Sequence, residues 1–348
     1  MTPLEKLYDR YDYGHPKSLV AQEPAHPRDS ARLLVYAPKR VSEDIFANLA
    51  NYLPPRSLLI FNDTKVVPAR ITVKKPTGGA IRLLFLGIKG SRIEALADRQ
   101  LEIGSKVSVD KLNSFIVQAK KGGVYTLKPS FPAAKIFTIL ERYGVAPLPP
   151  YVKKTALSAA EVKREYQSVF ARASGSVAAP TASLHFTPRL IAKLKKAGHE
   201  IRFVTLHVNL GTFSPLTAEQ LAKGRLHSEY FTIGAKTAAA IKTARHQGRA
   251  VIAVGTTVTR TLESAADAGG NLRPKTGTTD LFIREGYRFK IIDGLITNFH
   301  VPRSSLLMLV AAFVGRERLM SIYRRAIRRR FRLFSFGDGM LLLPGMLS

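Results

Sequence analysis

Histidines and a glutamate stand where predicted strands end, and these residues are the first candidates for chemistry. His207 closes the predicted strand IRFVTLHV, and His300 follows the strand GLIT. In LHSEYF, His227 and Glu229 are two residues apart and share one face if the segment is extended. Imidazole and carboxylate groups can move protons near neutral pH. A single histidine is more often structural, but several at equivalent strand ends favour a shared cleft.

A Gly-Thr-Thr sequence between a predicted strand and a predicted helix is a candidate binding element. Gly255, Thr256 and Thr257 follow AVIAV and precede TRTLESAADA. Such a junction offers free backbone N–H groups and hydroxyls to a polar or anionic ligand. The residues match neither of the glycine-rich patterns that hold dinucleotides or nucleoside triphosphates. An ordinary turn between strand and helix fits them equally well.

The stretch GSVAAPTASLHFT, residues 175–187, places His185 and Phe186 after a run of small side chains. Small residues let the backbone come close to a flat ligand such as a nucleobase, and the two rings would flank it. A close contact between a helix and a strand is the alternative.

The surrounding elements predict an α/β protein with an inserted β-barrel. Residues 57–61 (SLLIF) read as a buried strand, and short β-branched runs separated by turn signals fill residues 70–128. From Thr187 onward strands and helices alternate, which is typical of a largely parallel sheet. We predict a discontinuous α/β domain, residues 1–69 and 129–348, and a small antiparallel β-barrel domain, residues 70–128.

Composition limits the possible functions and partners. The 348 residues include no cysteine, which excludes disulfides, cysteine-ligated metals and a thiol nucleophile. The formal net charge of +29 predicts a polyanionic partner, nucleic acid first, although a general basic bias of the source organism would give the same balance. The segment YRRAIRRRFRLF, residues 323–334, suits phosphate contact and stacking, or is a solvated basic helix. The longest apolar run is about half the ~20 residues of a membrane span. We expect a soluble, cytoplasmic protein without membrane contact.

Taken together and in order, many stretches of the chain resemble the S-adenosylmethionine:tRNA ribosyltransferase-isomerase family of the queuosine pathway. The resemblance runs from near residue 10 to near residue 343, and as a set the motifs are highly specific. They are YDYGHPKSLVAQEPAHPRDSARLLVY, LLIFNDTKVVPAR, PLPPYV, EYQSVFA, GSVAAPTASLHFT, VTLHVNLGTF, HSEYF, VIAVGTTVTRTLES, LITNFHVPRSSLLMLVAAFVG and FSFGDGMLLL.

The resemblance implies a transfer reaction on tRNA. The ribosyl group of S-adenosylmethionine moves to the 7-aminomethyl-7-deazaguanine base at the wobble position and is isomerised to give epoxyqueuosine, while adenine and methionine leave. S-adenosylmethionine is then a consumed substrate, no other cofactor and no metal are needed, and the partner is the tRNA anticodon stem-loop. We expect a monomer. Two rival functions are a non-catalytic RNA-binding protein that kept the fold and a small-molecule enzyme acting on nucleotides.

Such a reaction needs a base for a proton next to the sulfonium and an acid for the departing adenine. We predict His207 or Glu229 as base and another histidine as acid. The predicted catalytic set is His185, His207, His227, Glu229 and His300. The predicted substrate-binding set is Asn62, Thr64, Arg70, Thr181, Thr212, Thr256, Thr257 and Asn298.

Overall fold

The computed structural model describes residues 2–38, 40–208 and 216–345. Thr212 of the predicted binding set lies outside the described residues. The strands are β1 Arg32–Ala37, β2 Arg40–Ile45, β3 Leu58–Asn62, β4 Thr64–Val66, β5 Arg70–Lys74, β6 Ala80–Lys89, β7 Arg92–Ala97, β8 Lys106–Ser108, β9 Ser114–Lys121, β10 Val124–Pro129, β11 Ala173–Ser176, β12 Glu200–Leu206, β13 Arg225–Ile233, β14 Val251–Val254, β15 Lys275–Leu281, β16 Gly294–Asn298 and β17 Gly339–Leu342.

Helices pack around these strands. They are α1 Pro3–Arg10, α2 Ile136–Tyr143, α3 Ala159–Glu165, α4 Pro188–Lys196, α5 Ala218–Lys223, α6 Ala235–His246, α7 Thr256–Ala265, α8 Ser305–Val314 and α9 Arg316–Arg328. Their ends follow local capping rules. Ser304 caps α8 by accepting a hydrogen bond from the Leu307 N–H, and Gly315, with φ of 90°, ends it.

A nine-stranded sheet carries the main core, in the order β15-β13-β12-β3-β14-β16-β17-β1-β2. The central strands β12, β3, β14 and β16 run parallel, while β13, β15, β17 and β2 each pair antiparallel with a neighbour. Strands such as β3 (LLIFN) and β14 (VIAV) are buried throughout, as expected for parallel strands covered on both faces. The predicted α/β class is confirmed, with its parallel part at the centre of a mixed sheet.

The inserted β-barrel is also confirmed. Strands β5 to β10 close in the order β10-β7-β6-β5-β8-β9 with antiparallel pairings. The strict alternation of exposed and buried residues along β5 places Ile71 and Val73 in the barrel interior. The barrel strands span residues 70–129, and the proposed division into domains places its boundaries at 69/70 and 128/129.

Candidate active site

A cavity of about 640 Å³ lies at the carboxyl ends of the parallel strands β12, β14 and β16. In open α/β sheets ligands bind at this edge. Its described lining residues are Tyr8, Pro150, Tyr151, Lys153, Ala179, Pro180, Thr181, Ala182, Val208, Gly255, Thr256, Thr257, Thr297, Asn298, Phe299, His300, Val301, Pro302, Arg303, Ser304, Leu306, Phe334 and Ser335. The structure thus brings together five sequence-predicted site residues, namely Thr181, Thr256, Thr257, Asn298 and His300.

The start of α7 forms one wall of this cavity. Gly255 precedes the helix with φ of 99°, a conformation that favours glycine, and no side chain caps the helix there. The first turn therefore has backbone N–H groups without a side-chain cap, and such groups favour a polar or anionic ligand. The small-residue run supplies the neighbouring wall through Ala179, Thr181 and Ala182.

Asn298, the last residue of β16, lines the cavity with a side chain that is almost fully buried. Its Nδ2 lies 3.1 Å from the main-chain oxygen of Phe334 and 3.3 Å from Nε2 of His185. Its Oδ1 is buried and has no hydrogen-bond partner among the described residues. An unpaired buried acceptor costs about 1–3 kcal/mol.

His300 is held at the cavity in its neutral form. Its Nε2 lies 2.8 Å from Oγ1 of Thr297, and its main-chain N–H donates to the Tyr323 hydroxyl oxygen at 2.8 Å. Its main-chain oxygen accepts a hydrogen bond from the Tyr13 hydroxyl. Burial lowers the pKa of His300 to about 4. The ring is therefore unprotonated at neutral pH and able to accept a proton.

His185 lies behind Asn298 and is not among the lining residues of the main cavity. Its ring stacks on Phe46 with centroids 4.0 Å apart and planes 12° apart. Burial, with Arg332 and Arg28 adding repulsion, lowers its pKa to about 3. Phe186 is fully buried against Phe61. These two rings pack in the core, and the small residues before them, rather than the rings, contact the cavity.

His207 lies beside the cavity, immediately before the lining residue Val208. Its Nδ1 is 2.8 Å from Oγ1 of Thr64, and its ring lies over the backbone of Gly175. Burial lowers its pKa, and nearby Asp63 acts in the opposite direction. Thr64 thus contacts and positions His207. The sequence predicted instead that Thr64 contacts the substrate directly.

Substitution of Gly175 by alanine is expected to displace His207. Gly175 has φ of 148°, and an added Cβ would lie 3.0 Å from the His207 ring. We expect a loss of about 1–3 kcal/mol in unfolding free energy and a drop of about tenfold in the turnover of a reaction at this cavity. Gly224→Ala is the control, because its added Cβ meets no atom within 4 Å. Wild-type turnover in Gly175→Ala would contradict a role for the His207 ring.

His227 and Glu229 do not line the cavity and differ in burial. The β13–β15 register shifts between Arg225 and Glu229. His227 is exposed, whereas Glu229 is buried in an ion pair with Arg260 of α7. Arg260 also donates to the main-chain oxygen of Leu281 at 3.1 Å. The structure therefore gives Glu229 an anchoring contact to α7, the helix that begins at the cavity.

Asn62 and Arg70 also lie outside the cavity lining. Asn62 joins β3 to β12, since its Nδ2 donates to the Leu206 oxygen at 3.0 Å and its Oδ1 accepts from the Leu206 N–H at 3.0 Å. Its Nδ2 lies 3.3 Å from Oγ1 of the lining residue Thr257, and its Oδ1 also accepts from the Thr64 N–H at 3.1 Å. Arg70 begins the barrel strand β5 and is exposed.

Several lining residues were missed by sequence reasoning. Tyr8 is distant in sequence from every predicted site residue, whereas Arg303 lies three residues after His300. Tyr151 ends PLPPY, which predicted only a rigid crossing, and Lys153 follows two residues later. Lys153 and Arg303 carry the charges of the described lining, which contains no carboxylate. Arg303 is fixed by an ion pair with Asp12. The mouth of the cavity therefore favours an anionic group such as a carboxylate or phosphate.

Acid is expected to destabilise the fold through His185 and His300. Their folded-state pKa values of about 3 and about 4 lie below the ordinary value of 6.5. The unfolded chain therefore binds more protons, and stability that is complete above pH 6.5 is lost as pH falls toward those values. At pH 5 each histidine is expected to cost about 2 kcal/mol. Urea midpoints at pH 7.5 and pH 5 test this, and His300→Gln should reduce the difference by about half. Equal midpoints for the wild-type protein would contradict it.

The fold and the site define a class of protein. An α/β sheet with an inserted β-barrel, a nucleoside-sized cavity at the carboxyl ends of its parallel strands and neutral imidazole at that cavity are the features of a nucleotide-directed enzyme fold.

Comparisons with known proteins place the chain within this class. The family model described as "Queuosine biosynthesis protein" matches residues 8–342, and the chain belongs to that family. It is 45% identical over 341 residues to the S-adenosylmethionine:tRNA ribosyltransferase-isomerase of Pelotomaculum thermopropionicum, with 96% of this chain and 98% of that protein covered. The protein of the same name from Halothermothrix orenii is 45% identical over 343 residues, with 96% and 99% covered.

A solved structure agrees with these relatives. The crystal structure of S-adenosylmethionine tRNA ribosyltransferase from Thermotoga maritima matches with a TM-score of 0.55 and 33% identity, covering 96% of this chain and 100% of that chain. The family resemblance drawn from the motifs is confirmed. No helix of the described residues has the length and apolarity needed to cross a membrane.

Proposed function

We propose that this protein transfers and isomerises the ribosyl group of S-adenosylmethionine onto the 7-aminomethyl-7-deazaguanine base at the tRNA wobble position, with release of adenine and methionine. Family membership and full-length similarity to proteins of that name support the reaction class. The observation that carries the proposal is the cavity itself, which joins a neutral histidine, the Asn298 amide and a helix N-terminus without a side-chain cap at one sheet edge.

The cavity has surfaces suited to both substrates. Its volume of about 640 Å³ lies in the usual range for small-molecule sites. The Ala179 to Ala182 wall admits a flat ring to van der Waals contact, and Tyr151 and Phe334 offer aromatic faces on which an extruded base can stack. Lys153 and Arg303 suit the methionyl carboxylate. Their position at the cavity supports binding of an amino-acid nucleoside rather than a nucleoside alone.

His300 is our proposed proton carrier. The sulfonium acidifies the protons on the ribose 5′-carbon, and the unprotonated imidazole removes one of them as the first step. Because burial holds its pKa at about 4, the protonated ring gives up its proton readily, which suits protonation of the departing adenine. Thr297 fixes the ring through the 2.8 Å contact to Nε2. His207 supports the site from its position beside Val208.

The remaining partners follow from charge and substrate. The net charge of +29 favours tRNA, and access of a wobble base to the cavity requires that the base be unstacked from the anticodon loop. We propose that the protein acts as a monomer in the cytoplasm on the anticodon stem-loop and consumes S-adenosylmethionine without a metal or other cofactor.

Adenine release tests this function. The protein is incubated with S-adenosylmethionine and tRNA that carries the aminomethyl precursor, and adenine is measured by chromatography. Release that requires both substrates is the expected result. RNA binding without adenine release would favour the non-catalytic RNA-binding protein, and release without tRNA would favour the small-molecule enzyme. Either result would overturn the proposal.

A further inference from the structure

A cluster of arginines surrounds the carboxyl-terminal end of α9. The helix buries one face through Leu319, Tyr323 and Ala326. Its opposite face, the residues after it and the start of β1 carry the arginine surface, which we define as Arg32, Arg324, Arg325, Arg328, Arg329 and Arg330. Arg324, Arg328 and Arg330 are exposed. Within the described ranges, none of these three lies within 4.0 Å of a carboxylate.

The arginine surface keeps most of its charge because its described ion pairs share one carboxylate. Glu43 of β2 lies 2.9 Å from Arg325, 3.1 Å from Arg32 and 3.4 Å from Arg329. Burial opposes ionisation, but hydrogen bonds from Arg325 and Arg329 outweigh it and lower the pKa of Glu43. One negative charge therefore holds three guanidinium groups in place. A strong excess of positive charge remains for a polyanion.

Stacking orders one further guanidinium contact, and the helix sets the spacing of two exposed arginines. The Arg32 guanidinium lies 3.8 Å from the centroid of the Phe331 ring. Arg324 and Arg328 are four residues apart on α9, and so they project from the same face about one turn apart. Fixed arginines lose less conformational entropy when they bind phosphate than free ones do.

The sheet register places this surface at the same edge as the cavity. Asn298 pairs with Gly339, Gly339 with Leu33, and Leu33 with Asp44, which is next to Glu43. Three strand spacings of about 4.8 Å separate the cavity wall from Glu43 by about 14 Å. Both features lie on one side of the sheet, since Leu34, Tyr323 and Phe334 belong to the same core.

The chemistry of the surface favours RNA over a lipid membrane. A membrane-surface helix needs large exposed apolar side chains to enter the lipid boundary. In α9 and the residues that follow it, Leu319 and Phe331 are fully buried and Ile327 is half-buried. Arginines without exposed apolar neighbours suit the regularly spaced phosphates of an RNA stem.

We infer that the arginine surface holds the stem of the tRNA through its phosphates while an anticodon-loop base enters the cavity. This inference rests on the proposed function for its RNA partner. Beyond the proposed function, the inference specifies the face of the protein on which the tRNA stem lies. That face sets the direction from which the anticodon loop approaches the cavity.

The test compares two triple variants. R324Q/R328Q/R330Q removes three exposed charges from the arginine surface, and K195Q/K196Q/K242Q removes three exposed charges near the amino-terminal ends of the sheet strands. Binding of fluorescent precursor tRNA is measured from 50 to 300 mM salt. At 100 mM salt the arginine variant is expected to bind tRNA about tenfold or more weakly than the wild type. The slope of the logarithm of the binding constant against the logarithm of the salt concentration should become shallower by about 2 to 3. The lysine control should bind as the wild type.

Turnover separates this inference from the proposed function. At saturating tRNA, kcat of the arginine variant should equal that of the wild type, while KM for tRNA rises. Equal tRNA affinity and salt slope in the two variants would overturn the inference. It would also be overturned if the arginine variant lost binding to anionic vesicles while its tRNA binding stayed unchanged. A wild-type protein that releases no adenine would refute the proposed function but would leave the binding comparison valid.

Discussion

Replacement of His300 by alanine is expected to lower kcat by about 10²- to 10⁴-fold, which is the usual contribution of a positioned acid or base. The ring lies at the cavity, is unprotonated at neutral pH and is held by Thr297. Binding of tRNA should change little, because the phosphates are held elsewhere. Single-turnover adenine release and tRNA affinity measure the two effects separately.

His246→Ala is the matched control for this variant. His246 is exposed in the last turn of α6, away from the cavity lining. Circular dichroism and the urea midpoint establish that His300→Ala is folded. A folded His300→Ala protein with wild-type adenine release would show that His300 does not take part in the reaction. His207 would then be the next candidate for the proton carrier.

Replacement of Arg260 by methionine is expected to lower the unfolding free energy by about 3–5 kcal/mol, because it leaves the buried Glu229 carboxylate without its guanidinium partner. Arg260 is also hydrogen-bonded to the Leu281 oxygen, which loses its donor. The urea midpoint measures the loss. In R260M/E229Q the buried charge is gone, so more than half of the lost stability should return.

Glu229→Gln alone separates anchoring from catalysis. If Glu229 anchors α7, the neutral amide should keep turnover within about fivefold of wild type, since its shape and part of its hydrogen bonding remain. A loss above about 10²-fold with an unchanged urea midpoint would instead support the sequence-based prediction that Glu229 is the base. An unchanged midpoint in R260M would contradict the anchoring role.

The fold was largely predictable because its strongest signals are local. Continuous apolar runs such as LLIF and VIAV mark central strands, and regular alternation marks the barrel strands. Parallel strand ends meet at one edge, which correctly brought Thr256, Asn298 and His300 together. The antiparallel outer strands of the main sheet carried no comparable signal, because pairing direction is set by chain connections rather than by residue pattern.

The candidate site was less predictable because it depends on contacts between distant segments. Nothing in LHSEYF indicates that Glu229 is buried while His227 is exposed, or that the β13–β15 register shifts between Arg225 and Glu229. The spacing of Thr256 and Arg260, four residues apart on a helix, could have placed both on one face of α7. Nothing local indicated that Tyr8 or Lys153 reaches the cavity.

The most direct test of the central claim is a crosslinking map with a tRNA that carries a photoreactive base at the wobble position. After irradiation in the presence of S-adenosylmethionine, peptides are identified by mass spectrometry. Crosslinks to residues 8, 150–153, 179–182, 208, 255–257, 297–306 or 334–335, which contain the described cavity lining, are the expected result. Crosslinks confined to the β-barrel or to the outer face of α6 would contradict the account.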